Sequence, residues 1–195
     1  MGWVPLNQPD STWPLWAQQL ALHPDQGWRQ AIGAWWGAAW LHGSAEHLYR
    51  NLVALSLIAA IGWHNRVPAQ TTLVWFGAWP LTQIGMIGQP LHTYIGLSGV
   101  LHAGICAIAL HQVTNQSTTR KPFIGYLLLL GLILKILMEN PWQHALIKPP
   151  GSDINVAPWA HLSGTLSAAA ICLFTSVTKR LPCVKRLTRG GRTLI

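Results

Sequence analysis

Apolar residues form five long runs in this chain, and polar or helix-breaking residues separate them. The runs cover about residues 44–63, 71–89, 95–113, 122–139 and 157–178. Each is close to the roughly 20 residues that a helix needs to cross the hydrocarbon core of a bilayer. The pattern therefore predicts an all-α fold, a polytopic membrane bundle with about five spanning helices.

The first 43 residues lack a run of this kind. Residues 31–41 are apolar and rich in tryptophan but too short to cross, and tryptophan favours the membrane–water boundary. We expect residues 1–43 to form an extramembrane or interfacial segment with a Trp-rich loop. Residues 44–178 would form the membrane domain, and residues 179–195 a basic cytoplasmic tail.

The composition supports a membrane protein. The chain is 50% hydrophobic and 9% charged, with a net charge of +8, whereas a soluble domain averages roughly 25% charged residues. The basic C-terminus permits two interpretations, a nucleic-acid patch or a juxtamembrane anchor. Because it follows an apolar run, the anchor is favoured. We therefore expect the lipid bilayer, and no nucleic acid, as a partner.

Basic residues also predict the orientation of the helices. One set lies at the same end of the predicted helices as the C-terminal tail, and a second set lies at the opposite end. The positive-inside rule places the first set in the cytoplasm. The first set is Arg66, Arg120, Lys121 and the tail; the second is Arg29 and Lys148.

A serine between two glycines begins the third apolar run, in Gly96-Leu97-Ser98-Gly99. Glycine permits positive φ angles and close backbone approach, so backbone donors can be exposed around such a hydroxyl. The motif alone is a weak signal, because glycine and serine are also common packing residues in membrane helices. Ser98 lies at the end of its predicted helix that faces away from the cytoplasm, and this position makes it a candidate nucleophile.

A histidine, His161, begins the last run on the same side of the predicted membrane. Small residues on this run and after Ser98 form stripes on which two helices can pack closely. Such packing would let His161 take the proton of Ser98 and later donate it. All three aspartates are expected in loops, so a dyad is favoured over a triad. The stripes are Gly99, Ala103 and Ala107 on one run, and Gly164 and Ala168 on the other.

Three more polar residues lie near the start of the first run. His47 and Asn51 are four residues apart and share one helix face, and His42 precedes them. Polar side chains in membrane helices usually face the bundle interior or a water-filled cavity. Hydrogen bonding between helices and donation to an oxyanion both explain the pair, and the spacing does not choose between them.

Lys135 and Glu139 lie four residues apart near the outer end of the fourth run. Charges at this depth are functional candidates. A self-neutralised ion pair that fixes the end of the helix explains them equally well. Both interpretations stay open at this point.

The sequence gives no sign of a metal or cofactor. His42 and His47 are five residues apart rather than the four of a His-Glu-x-x-His helix, and no carboxylate joins them. The cysteines, Cys106, Cys172 and Cys183, are odd in number and scattered, which suggests neither a disulfide framework nor a metal site. His92 is interpreted as a polar surface residue.

The motifs together resemble the rhomboid family of intramembrane serine proteases. The resemblance rests on His42-x4-His47-x3-Asn51, Gly96-Leu97-Ser98-Gly99 and Ala160-His161-x2-Gly164, and covers roughly residues 35–175. It implies that Ser98 is the nucleophile and His161 the base. It also implies that His47, Asn51 and the Ser98 backbone N–H bind the oxyanion. His42, Gly96, Gly99, His102 and Gly164 would be supporting residues.

The chain departs from that family at three places. One is the loop before the first histidine, where Trp35-Trp36-Gly37 lacks the arginine of the family's Trp-Arg element. The first transmembrane helix is degenerate or missing, and a histidine, His102, stands where many rhomboids carry a tyrosine that stacks on the catalytic histidine. His102 either stacks in the same way or forms a hydrogen bond to a neighbouring helix. The sequence favours the hydrogen bond over the stack.

A finer resemblance is to the rhombosortase subfamily, carried by Tyr94–His102, by Lys135-x3-Glu139 and by the small size. It implies cleavage of single-span exported proteins that have a C-terminal Gly-Gly motif, a hydrophobic helix and a basic tail. The protein would be a multi-pass protein of the bacterial inner membrane, with its site facing the periplasm. The alternative is a catalytically silent rhomboid-like protein that binds transmembrane segments. Presence of both Ser98 and His161 favours the enzyme.

Overall fold

The computed structural model describes residues 2–4, 9–114 and 122–180. These residues form a mostly helical fold with seven α-helices and one pair of two-residue strands, so the predicted all-α class is confirmed. The predicted basic residues Arg120 and Lys121 and the tail from 181 onward lie outside the described residues. The helices are α1 Leu15–Leu20, α2 Ala34–Gly37, α3 Ala45–His64, α4 Ala69–Ile84, α5 Ser98–Thr114, α6 Pro122–Glu139 and α7 Pro158–Arg180.

Helices α3 to α7 occupy the five predicted runs, with the largest differences at the turn between α4 and α5. The second run was expected to reach residue 89, but α4 ends at Ile84. The third was expected to begin at residue 95, but α5 begins at Ser98. Gly88 and Gly96 have φ angles of +82° and +125°, so this stretch turns instead of continuing either helix.

Among the described residues, one helix, α6, combines the length and the apolar composition of a membrane span. Helix α5 is similarly apolar but has 17 residues. Only 17% of α6 is buried inside the protein, and Phe123, Leu130 and Leu137 on it are more than half exposed. A core helix of a soluble protein would be mostly buried, so this surface is suited to lipid.

Helix α5 is the centre of the bundle and packs against α3, α4, α6 and α7. Eleven of its residues are buried, and they lie all around the helix. A helix that is apolar on every side is stable only when other elements surround it. The chain therefore places the element that begins at Ser98 in the middle of the fold.

Small residues let α5 and α7 approach until their backbones touch. A Cβ atom added to Gly164 would lie 2.0 Å from the carbonyl oxygen of Gly99, and one added to Gly99 would lie 2.8 Å from the carbonyl oxygen of Ala160. Ala103, Ala107 and Ala168 continue the contact and are fully buried. The predicted stripes of small residues thus meet as expected from the sequence.

The N-terminal segment folds over the end of the bundle that carries Ser98. Strand β1, Gly2–Trp3, pairs in parallel with β2, Leu41–His42. Further along, the backbones of Leu22 and Tyr94 exchange two hydrogen bonds of 3.1 and 2.8 Å. Its buried side chains include Trp13, which shares a core with Ile95 in the loop before Ser98. The segment therefore supports that loop from outside.

The α5–α7 contact predicts that one methyl group added at Gly164 strongly destabilises the fold. Gly164→Ala should lower the free energy of unfolding by about 1–3 kcal/mol or more, because the methyl group meets backbone that cannot move aside. Gly131→Ala is the matched control, since a Cβ there meets no atom within 4 Å. It should be neutral or slightly stabilising, because alanine favours helix over glycine. Thermal unfolding in detergent measures both, and equal midpoints would contradict the packing described.

Candidate active site

Ser98 is the first residue of α5, and the loop before it has a shape that only glycine adopts easily. Gly96 has a φ angle of +125°, and its N–H donates to the carbonyl of Ala38 at 2.8 Å. Leu97 and Ile95 on either side are buried. Because the first N–H groups of a helix have no acceptor within the helix, Ser98 lies beside backbone donors and the positive end of the helix dipole.

His161 lies in the first turn of α7 and contacts Ser98. Its Nε2 atom is 3.0 Å from Ser98 Oγ, and the side chain is nearly fully buried. The backbone contact between Gly164 and Gly99, three residues further along α7, brings the two side chains within reach. The sequence-predicted pair is therefore held at hydrogen-bonding distance, which is the separation that proton transfer from serine to imidazole needs.

The other ring nitrogen of His161 contacts a carboxylate. Glu139, the last residue of α6, places Oε2 2.5 Å from His161 Nδ1. Its other oxygen accepts a hydrogen bond of 2.5 Å from Lys135 Nζ, one turn earlier on α6. Sequence reasoning considered only the aspartates as partners for His161 and missed Glu139. The available signal was a carboxylate at the outer end of an apolar helix, on the side where His161 was expected.

The aspartates lie elsewhere, as the sequence indicated. Asp153 accepts a hydrogen bond from Ser44 Oγ at 2.8 Å, and Ser44 in turn caps α3 by accepting the His47 N–H at 3.0 Å. Glu46 forms an ion pair with Arg50 and also accepts the Asp153 N–H at 3.1 Å. These contacts tie the loop between α6 and α7 to the start of α3.

His42, His47 and Asn51 are buried together beside the loop before Ser98. Asn51 Nδ2 donates to His42 Nε2 at 3.0 Å, and the rings of His42 and His47 meet edge to face at 5.1 Å. The His47 ring lies against Gly96, where an added Cβ would be 2.8 Å from its Cε1 atom. The hydrogen bond to His42 orients the Asn51 amide. The second N–H of the amide is not used in this contact.

His42 lies in β2, and its electrostatics favour the neutral ring. Burial lowers the pKa of His42, and the nearby Trp40 carbonyl opposes that shift without reversing it. A neutral ring can accept the hydrogen bond from Asn51 through Nε2 only if its proton is on Nδ1. His42 thus acts as an acceptor that fixes the Asn51 amide.

His102 lies one turn after Ser98 and stacks on His161. The ring centroids are 3.9 Å apart and the planes differ by 10°. Its Nδ1 atom faces the carbonyl oxygen of Ser98 at 2.7 Å, so its polar contact is within α5. His102 therefore stacks on His161, which is one of the two interpretations left by the sequence. The sequence favoured the other one, a hydrogen bond to a neighbouring helix, and that contact is not observed among the described residues.

A cavity of about 510 Å³ lies beside Ser98 and His161. Residues from α3, α5, α6 and α7 form its walls, together with the loop between α6 and α7 and the loop before Ser98. A hydroxyl, an imidazole and several N–H donors therefore converge on one cavity, an arrangement suited to acyl transfer. The polar residues on its wall are His47, Arg50, Asn51, Thr93, Tyr94, Ser98, His102, Lys135, Glu139, Asn155 and His161.

A family model for the Rhomboid domain matches residues 24–177, which is most of the chain. The chain is a member of the rhomboid family. Rhomboids are integral membrane proteins and typically intramembrane serine proteases that act on transmembrane substrates in the bilayer. A comparison with curated proteins and one with solved structures gave no match.

The structure brings together every residue that the sequence analysis singled out for the site, from three separate helices, strand β2 and the loop before Ser98. It adds Glu139, which the motifs shared with other rhomboids did not indicate. The residues brought together are His42, His47, Asn51, Gly96, Ser98, Gly99, His102, His161 and Gly164.

Proposed function

We propose that this rhomboid is an intramembrane serine endopeptidase in which Ser98 is the nucleophile and His161 the general base. The observation that carries the proposal is the 3.0 Å contact between Ser98 Oγ and His161 Nε2 on the wall of a cavity. Packing alone would not require a hydroxyl and an imidazole to be aligned with a carboxylate behind the imidazole. That alignment is the general arrangement of an activated serine.

The reaction follows from this arrangement. His161 Nε2 takes the Ser98 proton while Oγ attacks the carbonyl carbon of the scissile peptide bond. The tetrahedral intermediate collapses when His161 gives the proton to the leaving amine, which leaves an ester on Ser98. Water, activated by His161, then hydrolyses the ester. Attack by an amine on the same ester would transfer the acyl group instead.

Donors on one side of the cavity would stabilise the oxyanion. We assign this role to the His47 ring, the second N–H of Asn51 and the backbone N–H of Ser98. All three belong to residues that line the cavity with Ser98 Oγ. Fixed donors at an oxyanion lower the free energy of the transition state, by roughly 3–4 kcal/mol for one donor. The contact from His42 holds Asn51 in place for this role.

We further propose a triad in place of the predicted dyad, with Glu139 as its third member. A carboxylate that accepts a hydrogen bond from Nδ1–H keeps Nε2 free to take the proton of serine, and stabilises the imidazolium that forms. Lys135 neutralises the charge that remains on Glu139. Lys135 and Glu139 would therefore form an ion pair and also take part in the function, two roles that the sequence left as alternatives.

The subfamily resemblance supports a substrate class. We propose that the enzyme cuts single-span proteins near the outer boundary of their membrane helix, at a C-terminal Gly-Gly sorting signal. Glycine weakens a helix by roughly 1 kcal/mol per residue and lets an extended segment enter a narrow cavity. Cleavage would release an exported protein from its membrane anchor.

We propose five spanning helices, α3 to α7, in the bacterial inner membrane, with the site at the periplasmic face. The starts of α3, α5 and α7 and the end of α6 meet at the site, so all four lie at one end of the bundle. Arg66, just after α3, is at the other end and would be cytoplasmic with the C-terminal tail. Residues 1–43 would lie outside the membrane, over the site.

The triad predicts a specific loss of rate. Glu139→Gln keeps the shape of the side chain but removes its charge and can hold the wrong tautomer of His161, so kcat should fall by roughly 10²–10⁴-fold. Lys135→Met is the matched control: it removes the other partner of Glu139 and should cost far less. Rates of cleavage in proteoliposomes measure both, with thermal unfolding to verify folding. A Glu139→Gln enzyme of full activity would show that the dyad suffices.

The substrate class predicts a preference that a pair of reporters can measure. One reporter carries Gly-Gly, a hydrophobic helix and a basic tail, and the second has both glycines replaced by leucine. In proteoliposomes, wild type should cut the first at least tenfold faster and Ser98→Ala should cut neither. Ser56→Ala, at an exposed serine on α3, is the control and should behave as wild type.

The other outcomes of that assay separate the proposals. Equal cutting of both reporters would keep the protease and reject the Gly-Gly signal. Cutting by Ser98→Ala as fast as by wild type would reject the serine mechanism. Binding of both reporters by wild type with no cleavage of either would favour the alternative, a catalytically silent rhomboid-like protein.

A further inference from the structure

Three residues far apart in the sequence bring metal-binding atoms together outside the catalytic cavity. Asp10 begins a short 3₁₀ turn, His23 follows α1, and His92 lies in the loop between α4 and α5. One ligand atom from each lies within 4.8 Å of the other two. Asp10 and His23 are partly buried and His92 is exposed, so an ion could enter from solvent.

The distances suit one small ion. His23 Nδ1 and His92 Nε2 each lie 3.5 Å from Asp10 Oδ2. Ligands placed about 2.0–2.1 Å from a tetrahedral zinc ion are separated by about 3.3–3.4 Å. Small movements of the rings would therefore complete the geometry. His23 Nδ1 also contacts the carbonyl oxygen of His92 at 3.0 Å, and it would exchange that contact for the ion.

Neighbouring side chains orient two of the three ligands. His92 Nδ1 lies 2.9 Å from Asp25 Oδ2, so the proton on Nδ1 can point to Asp25 and the lone pair on Nε2 to the cluster. Thr93 Oγ1 donates to Asp10 Oδ2 at 2.5 Å and holds that carboxylate. A histidine ligand whose second nitrogen donates to a carboxylate is the usual outer-shell arrangement at zinc.

A network of ion pairs without metal is the competing explanation. The hydrogen bond to Asp25, together with the charge of Asp10, raises the pKa of His92. Burial alone would raise the pKa of Asp10, but the Thr93 hydrogen bond and the two imidazoles outweigh it and lower that pKa. A protonated His92 between two carboxylates accounts for these contacts. In that network, His23 Nδ1 donates to the His92 carbonyl at 3.0 Å. What favours an ion is the second imidazole nitrogen beside the same carboxylate oxygen, His23 Nδ1 at 3.5 Å from Asp10 Oδ2.

We propose that Asp10, His23 and His92 bind one zinc ion, with water as the fourth ligand. Two imidazoles and one carboxylate suit zinc, whereas calcium and magnesium prefer oxygen ligands throughout. The ion ties the N-terminal segment to the loop that leads to Ser98. Thr93 and Tyr94, which follow His92, line the catalytic cavity. Zinc therefore orders the wall of the active site without taking part in its chemistry.

Zinc titration of the purified, EDTA-treated protein tests the site. Isothermal calorimetry of wild type with ZnCl₂ should give one ion per chain. His92→Ala and Asp10→Asn should each weaken binding at least tenfold, and Asp25→Asn should weaken it less. His144→Ala, at an exposed histidine in the loop between α6 and α7, is the matched control and should bind as wild type. Hydrogen exchange of residues 9–26 should slow with zinc in wild type and not in His92→Ala.

Several results would overturn the proposal. Absence of zinc binding to wild type would leave the ion-pair network as the explanation. Equal affinity in wild type, His92→Ala and Asp10→Asn would place any bound ion elsewhere. Binding that is lost in His161→Ala and kept in His92→Ala would place the ion in the catalytic cavity. Because these readouts do not involve cleavage, they are independent of the proposed protease activity.

Discussion

The contact between Gly99 and Gly164 is the constraint on which the rest of the structure depends. At this point the backbones of α5 and α7 touch, and no side chain larger than hydrogen fits between them. The contact sets the distance from Ser98 to His161, since both residues lie within one turn of it. On the other side of α7, Ser163 donates to the Thr82 carbonyl at 2.9 Å, so α4 holds the helix in the same position. Geometry at the site thus follows from packing.

The charged and imidazole groups of the site lie near the ends of apolar helices, and this makes the site possible in a membrane. A charge in an apolar environment is costly unless it is paired and hydrogen-bonded. Glu139 meets that condition through Lys135 on its own helix and His161 on the next. The N-terminal segment closes the same end of the bundle, through the backbone contacts of Leu22 with Tyr94 and of Ala38 with Gly96.

Much of the fold and most of the site follow from residues that act locally. Runs of apolar residues predicted α3 to α7, and stripes of small residues predicted the contact that joins Ser98 to His161. What the sequence did not show are contacts between distant segments. Glu139 reaches His161 only because α6 ends beside α7, and that depends on how the helices pack. Asp10, His23 and His92 likewise meet only after the N-terminal segment folds back, so no spacing could indicate them.

Alkylation by a peptide chloromethyl ketone tests most directly the claim that Ser98 and His161 form one reactive unit. Ser98 Oγ adds to the ketone, and His161 Nε2 then displaces chloride and forms a stable carbon–nitrogen bond. After digestion, mass spectrometry should find a single alkylated histidine, His161, in wild type and little or none in Ser98→Ala. Alkylation of other histidines in place of His161, or equal alkylation in Ser98→Ala, would contradict the account.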